Sequence, residues 1–255
     1  MDGIRQARAE RRVAAIALVI VAAAGCAWAI AAPDGGPVPA PFSAAPAGGA
    51  FPAPWHHQPL PKVARENRFE LVQDGGRTVL QVRSDASAST LAHPLAIDPA
   101  RTPVLSWRWK VSNVVAGSDF TRKSGDDYAA RVYVLFDYPL DRLGLVDRLA
   151  ISLARTLHGA ELPAAAIAYV WGNVQPAGAT GPNPYTDRVR MIVVDSGQAR
   201  VGEWVEVRRD VAADFRAAFG EAAPPIIGIA VSADTDNTGE SVTTRFGDLR
   251  FAPPE

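Results

Sequence analysis

The chain is poor in the residues that most often carry covalent or metal chemistry, with one cysteine and four histidines in 255 residues. The lone Cys26 has no partner for an internal disulfide, so stability must come from packing. His56, His57, His93 and His158 fall at no metal-ligand spacing, and none stands in a pattern that suggests a catalytic triad. Glycine-rich phosphate loops and a Gly-x-Ser-x-Gly elbow are missing, so neither a nucleotide nor an acyl-enzyme nucleophile is indicated. No segment repeats at a fixed period, and strands do not alternate with helices as in a nucleotide-binding parallel sheet. An excess of one charge is also lacking, since 26 basic residues face 27 acidic ones. Setting aside the first twelve residues leaves 22 basic and 25 acidic, which excludes a nucleic-acid binder that works by overall charge.

What is present begins with export grammar. Arg5, Arg8, Arg11 and Arg12 precede an apolar run, Val13 to Ala24, and then the small-residue stretch Gly25-Cys26-Ala27-Trp28-Ala29. Residues 1–32 therefore read as a signal peptide or membrane anchor that engages the export machinery and the membrane. Three endings stay open: cleavage after Ala27-Trp28-Ala29, lipidation of Cys26, or retention of Val13 to Ala32 as a span. In each case the remainder is expected in the periplasm or cell envelope. Residues 33–54 are rich in Pro, Gly and Ala and predict a semi-extended tether.

Residues 55–255 then show about ten short β-branched or aromatic runs divided by turn chemistry such as Asp74-Gly75-Gly76 and Asn237-Thr238-Gly239. The spacing predicts a mainly β domain, an antiparallel β-sandwich of jelly-roll type. Two strands alternate well enough to assign faces. In Val104 to Val111, Leu105, Trp107 and Trp109 share the core side, opposite Arg108 and Lys110. In Tyr128 to Asp137, Val132, Val134 and Phe136 share it, opposite Asp127, Arg131 and Tyr133. One inserted amphipathic helix is expected, since Leu145, Val146, Leu149, Leu153 and Leu157 recur on one helical face. A shorter helix over Ala212 to Phe219 would end at Gly220.

Four blocks carry a resemblance: Leu105 to Trp109 (LSWRW), Gly125 to Val134 (GDDYAARVYV), Tyr169 to Trp171 (YVW), and Ala233 to Glu240 (ADTDNTGE) before Phe246-Gly247-Asp248. The set resembles a family of exported bacterial proteins classified only as a domain of unknown function, over Phe51 to Phe251. That resemblance implies one exported domain and assigns no catalytic residue. A looser likeness joins Gly202-Glu203-Trp204, Asp214-Phe215 and Gly247 to Phe251 to carbohydrate-binding jelly rolls.

Three functional readings follow. The preferred one is a binder of a glycan or envelope component, on a polar face formed by Arg108, Lys110, Asp127, Arg131 and Tyr133. A second is a hydrolase or lyase acting on an envelope or extracellular polysaccharide, using Asp127 with an unnamed carboxylate. The third is a structural interaction module. No cofactor is required. Calcium is the one ion for which ligands can be named, at Asp234, Asp236 and Glu240, whose spacing imitates the first half of a calcium loop. Arg245 at the twelfth position rules out an EF-hand, and a plain hairpin loop explains the same residues. Tyr169 with Trp171, and Trp204 with Glu206 and Arg208, could each stack on a sugar or lie in the core.

Overall fold

A computed structural model describes residues 39–60, 63–143 and 164–254. The predicted helix from Leu145 to Leu157 and the export segment lie outside these residues. Among the described residues no helix is long and apolar enough to cross a membrane. The described residues form thirteen strands in chain order: β1 (His56–Pro59), β2 (Arg68–Asp74), β3 (Arg77–Asp85), β4 (Ser89–Ile97), β5 (Val104–Val111), β6 (Tyr128–Phe136), β7 (Ala165–Gly172), β8 (Thr180–Asn183), β9 (Thr186–Ser196), β10 (Val205–Asp210), β11 (Ile226–Asp234), β12 (Ser241–Phe246) and β13 (Arg250–Ala252).

They form a jelly-roll-type sandwich of two sheets. One sheet runs β1-β4-β11-β6-β7-β9-β8 and the other β10-β5-β12-β3-β2, with β13 also paired to β5. Among the described strands every pairing is antiparallel except β7 with β9, which run parallel. The core lies between the sheets and follows from the period-two pattern. Trp107 meets Tyr169 at 5.3 Å between ring centroids, and Trp109 meets Trp171 at 6.1 Å. Trp107, Trp109, Val132 and Val134 are all buried, as the alternation predicts. They come from opposite sheets and face one another across the core.

The α-helix α1 (Val211–Phe219) closes one end of the sandwich. Asp210 caps it by accepting from Ala213 N, and Gly220 ends it at φ 78°, a left-handed conformation that glycine adopts without a Cβ penalty. Its Phe215 reaches the core and stacks on Phe136 at 4.6 Å.

The tether expectation needs correction from Pro39 onward, because Pro39 to Pro54 pack as a strap on the sandwich. Phe42 is wholly buried in the core and its ring lies 4.8 Å from that of Trp55. Trp55 Nε1 donates to the Ala40 carbonyl at 2.7 Å, and Ser43 N and Oγ donate to Asp248 at 3.0 and 2.6 Å. Composition identifies a segment unable to form its own core. It does not reveal that one phenylalanine borrows the neighbouring core.

His93 holds the strap from below. Ala40 N donates to His93 Nε2 at 3.0 Å, so that nitrogen is unprotonated and Nδ1 carries the hydrogen donated to the Pro94 carbonyl. Burial lowers the His93 pKa to about 4, outweighing the backbone hydrogen bonds that favour the cation. Because the folded value is depressed below the usual 6.5, the contribution to stability is present above pH 6.5 and is lost as pH falls toward 4. A His93→Gln variant keeps a neutral side chain throughout. Relative to it, the wild-type protein is expected to lose about 3 kcal/mol between those limits, since each tenfold difference in proton affinity between the folded and unfolded chain is worth about 1.4 kcal/mol. Urea midpoints of both proteins at pH 7 and pH 4 measure this, and a constant difference between them would refute it.

Candidate functional site

Two polar clusters emerge, one on each outer side of the sandwich, and the residues expected to form one ligand face are divided between them. The first centres on Arg131 in β6. Tyr128 pairs with Asp234 while Arg131 pairs with Ser232, so three steps along β6 oppose two along β11. This bulge brings Tyr128 and Arg131 to the same face. The freed carbonyl of Ala129 accepts from Thr244 Oγ1.

Arg131 is only 1% exposed. Its Nε donates to Asp234 Oδ1 at 2.7 Å, its Nη2 meets Asp234 Oδ2 at 2.6 Å and Asp126 Oδ1 at 3.0 Å, and Nη1 reaches Tyr133 Oη at 3.2 Å. Asn183 Nδ2 donates to the other Asp126 oxygen at 2.9 Å. The Tyr128 ring lies 4.5 Å from the guanidinium carbon. Two carboxylates thus share one buried cation. Burial pushes both the Asp126 and Asp234 carboxyls up despite Arg131, and the neighbouring Asp127 adds repulsion.

Asp127 points elsewhere, although not by strand alternation, since both acids precede β6 and Asp126, at φ −79° and ψ 45°, is not extended. Wholly buried, it accepts from Asn237 Nδ2 at 3.0 Å and Thr238 N at 2.6 Å. The Asp234–Glu240 loop is pinned by these bonds and by Gly239 N donating to the Thr235 carbonyl at 2.9 Å. Its three carboxylates do not converge. Asp234 faces Arg131, Glu240 accepts from Ala116 N and Gly117 N at 3.1 and 3.3 Å, and Asp236 is exposed beside Asn237. Among the described residues no three His, Cys, Asp or Glu side chains group as metal ligands.

Arg108 lies on the second cluster, across the molecule from Arg131. It projects from the outer side of β5, since Trp107 and Trp109 take the inner one. The Arg108 guanidinium carbon sits 4.4 Å from the centroid of the Trp204 ring, and Lys110 Nζ sits 5.0 Å from it. Gly247 makes room for this arrangement, because a Cβ there would stand 2.6 Å from Arg108 Cγ. Asp74 Oδ2 accepts from Lys110 and, at 2.5 Å, from Arg245 Nη1. Burial raises the Asp74 carboxyl, but hydrogen bonds from Lys110, Arg245 and Trp204 prevail and hold its pKa at about 2.

The polar chain continues across the sheet. Arg245 Nε donates to Gln81 Oε1 at 2.9 Å, Gln81 Nε2 to Glu70 Oε1 at 2.6 Å, and Arg83 Nη2 meets Glu70 at 3.0 Å. Beyond it opens a cleft of about 410 Å³ lined by Arg65, Glu66, Arg68, Arg83, Asp85 and Ser87. The strand pattern groups Trp204 with Glu206 and Arg208 but misses Asp74, whose Asp-Gly-Gly context signals only a turn. Tyr169 and Trp171 are core residues. Among the described tryptophans, Trp204 alone is not buried.

Fold and clusters together define a jelly-roll β-sandwich domain with a buried arginine–carboxylate centre and a polar, tryptophan-bearing outer sheet. The chain belongs to the family described as "Protein of unknown function (DUF3047)", whose model matches residues 53–250. No curated protein matches it. Among solved structures, an arabinose-bound α-L-arabinofuranosidase aligns at 11% identity and TM-score 0.38, over 84% of this chain and 25% of the enzyme. This chain thus spans a quarter of that protein. The family 30 carbohydrate-binding module of a Clostridium thermocellum cellulosomal cellulase aligns at 10% identity and TM-score 0.35, covering 78% of this chain and 90% of the module. Endoglucanase 3 of Trichoderma harzianum, from family GH12, aligns at 8% identity and TM-score 0.35, over 80% and 100%.

Proposed function

We propose that this protein is an exported, non-catalytic glycan-binding domain whose binding surface is the outer face of the six-stranded sheet around Trp204. One observation carries the reading: a tryptophan left out of the core lies on a polar sheet, its ring fixed by Arg108, Lys110 and Asp74. A positioned indole offers an apolar platform to the C–H face of a sugar, and the surrounding charged and amide groups hydrogen-bond its hydroxyls. Arg108 and Lys110 remain in this site. Asp127, Arg131 and Tyr133 support the fold on the other side. A hydrolase reading is disfavoured, because Asp127 is buried and already accepts two hydrogen bonds.

A glycan array probed with the wild-type protein and with Trp204→Ala tests this. Losing the platform is expected to weaken binding at least about tenfold, the equivalent of 1.4 kcal/mol. An unchanged binding profile in the variant would remove Trp204 from the site and the proposal with it.

A further inference from the structure

The outer face of the six-stranded sheet has a charge that the whole chain conceals. Pairing and core contacts set its outward positions: the even-numbered residues of β2, β5, β10 and β13, and the odd-numbered residues of β3 and β12. These positions hold eight basic side chains and five acidic ones. The face is therefore net positive, in a chain whose overall charge is −1.

Most of its acids are engaged, while several of its bases are not. Asp74 is held by Lys110 and Arg245, Glu70 by Arg83, and Asp85 by Arg65. Asp210 caps α1. Among the described residues no ion pair involves Arg68, Arg77, Arg108 or Arg250. Arg108 is also held in place between the Trp204 ring and the Gly247 backbone. A guanidinium fixed in this way has already lost much of its conformational freedom, and its planar fork matches a carboxylate. The bases without an ion pair come from four strands, Arg68 from β2, Arg77 from β3, Arg108 from β5 and Arg250 from β13, so they are distributed over the face rather than gathered on one strand.

We infer that the ligand of this face is an acidic polysaccharide, a chain whose sugars carry carboxylates in the manner of uronic acids. The inference rests on the glycan-binding reading above and specifies its ligand class. The Trp204 indole takes a sugar face, Arg108 beside it takes the carboxylate, and the chain extends across β12 and β3 toward Arg68 and the cleft at Arg83.

The test uses the full chain and two polymers of one backbone, polygalacturonate and its fully methyl-esterified form. The acid form is expected to bind at least tenfold more tightly in low salt, and that preference should shrink as salt screens the charges. Arg108→Gln, which keeps the indole, should lower the acid-to-ester ratio severalfold, with a melting curve to show that the fold persists. Equal affinity for the two polymers would overturn the acidic-ligand inference and leave glycan binding standing. Binding to neutral glycans on the array but to neither polymer would do the same. If no glycan binds at all, both readings fall. A single-stranded DNA oligonucleotide that binds as tightly as polygalacturonate would reduce the face to a general anion sink and also overturn the inference.

Discussion

Replacing Arg131 by alanine is expected to lower the stability of the domain by about 3 to 5 kcal/mol, the range for removing one partner of a buried ion pair. The side chain is 1% exposed and is the shared cation of Asp126 and Asp234. Without it two buried carboxylates face each other with Asp127 nearby, and each must be protonated or drawn into water. Against a total of about 5 to 15 kcal/mol for a typical domain, such a loss is large. Lysine should rescue only part, because one ammonium cannot reproduce the fork that reaches both acids. Adding Asp234→Asn to Arg131→Ala should recover some stability by removing one orphaned charge. Urea denaturation of the three variants measures this, and a parental midpoint for Arg131→Ala would show the cluster to be solvated. Strand alternation alone makes Arg131 a ligand contact whose removal abolishes binding and leaves the fold intact. Burial reverses that expectation.

The second large effect is expected at Trp109. It is wholly buried and touches Trp107 at 5.4 Å, Trp171 at 6.1 Å and Phe246 at 6.4 Å between centroids, linking both sheets. Truncation to alanine opens a cavity that three aromatic neighbours cannot readily fill, so a loss of about 3 to 5 kcal/mol is expected. Trp109→Phe should cost much less. It keeps a ring, and it removes an indole N–H that has no hydrogen-bond partner among the described residues. Thermal or urea unfolding distinguishes these outcomes. Equal losses for the two variants would mean that cavity volume does not set the cost.

The same residues show why some features are legible in the sequence. Trp107 and Trp109 alternate with Arg108 and Lys110, and strand geometry sends alternate side chains to opposite faces. Face assignment therefore follows from order alone, as do the strand β5, the helix α1 with its Gly220 end, and the mainly β class. The blocks Gly125 to Val134 and Ala233 to Glu240 also stand out as unusual.

Order along the chain does not say which strands share a sheet. Arg108 and Arg131 both alternate outward, yet β5 and β6 belong to opposite sheets, so one polar face becomes two. The bulge in β6 depends on pairing with β11, and that pairing brings Tyr128, Arg131 and Asp234 onto one side. Phe42 enters the core and packs its ring on Trp55, a contact set by tertiary packing rather than by composition. Charge obeys the same division. The sequence determined a nearly neutral total from residue counts, whereas the basic outer sheet exists only because strands distant in the chain lie side by side, and long-range pairing leaves no local signature in the residues that make it.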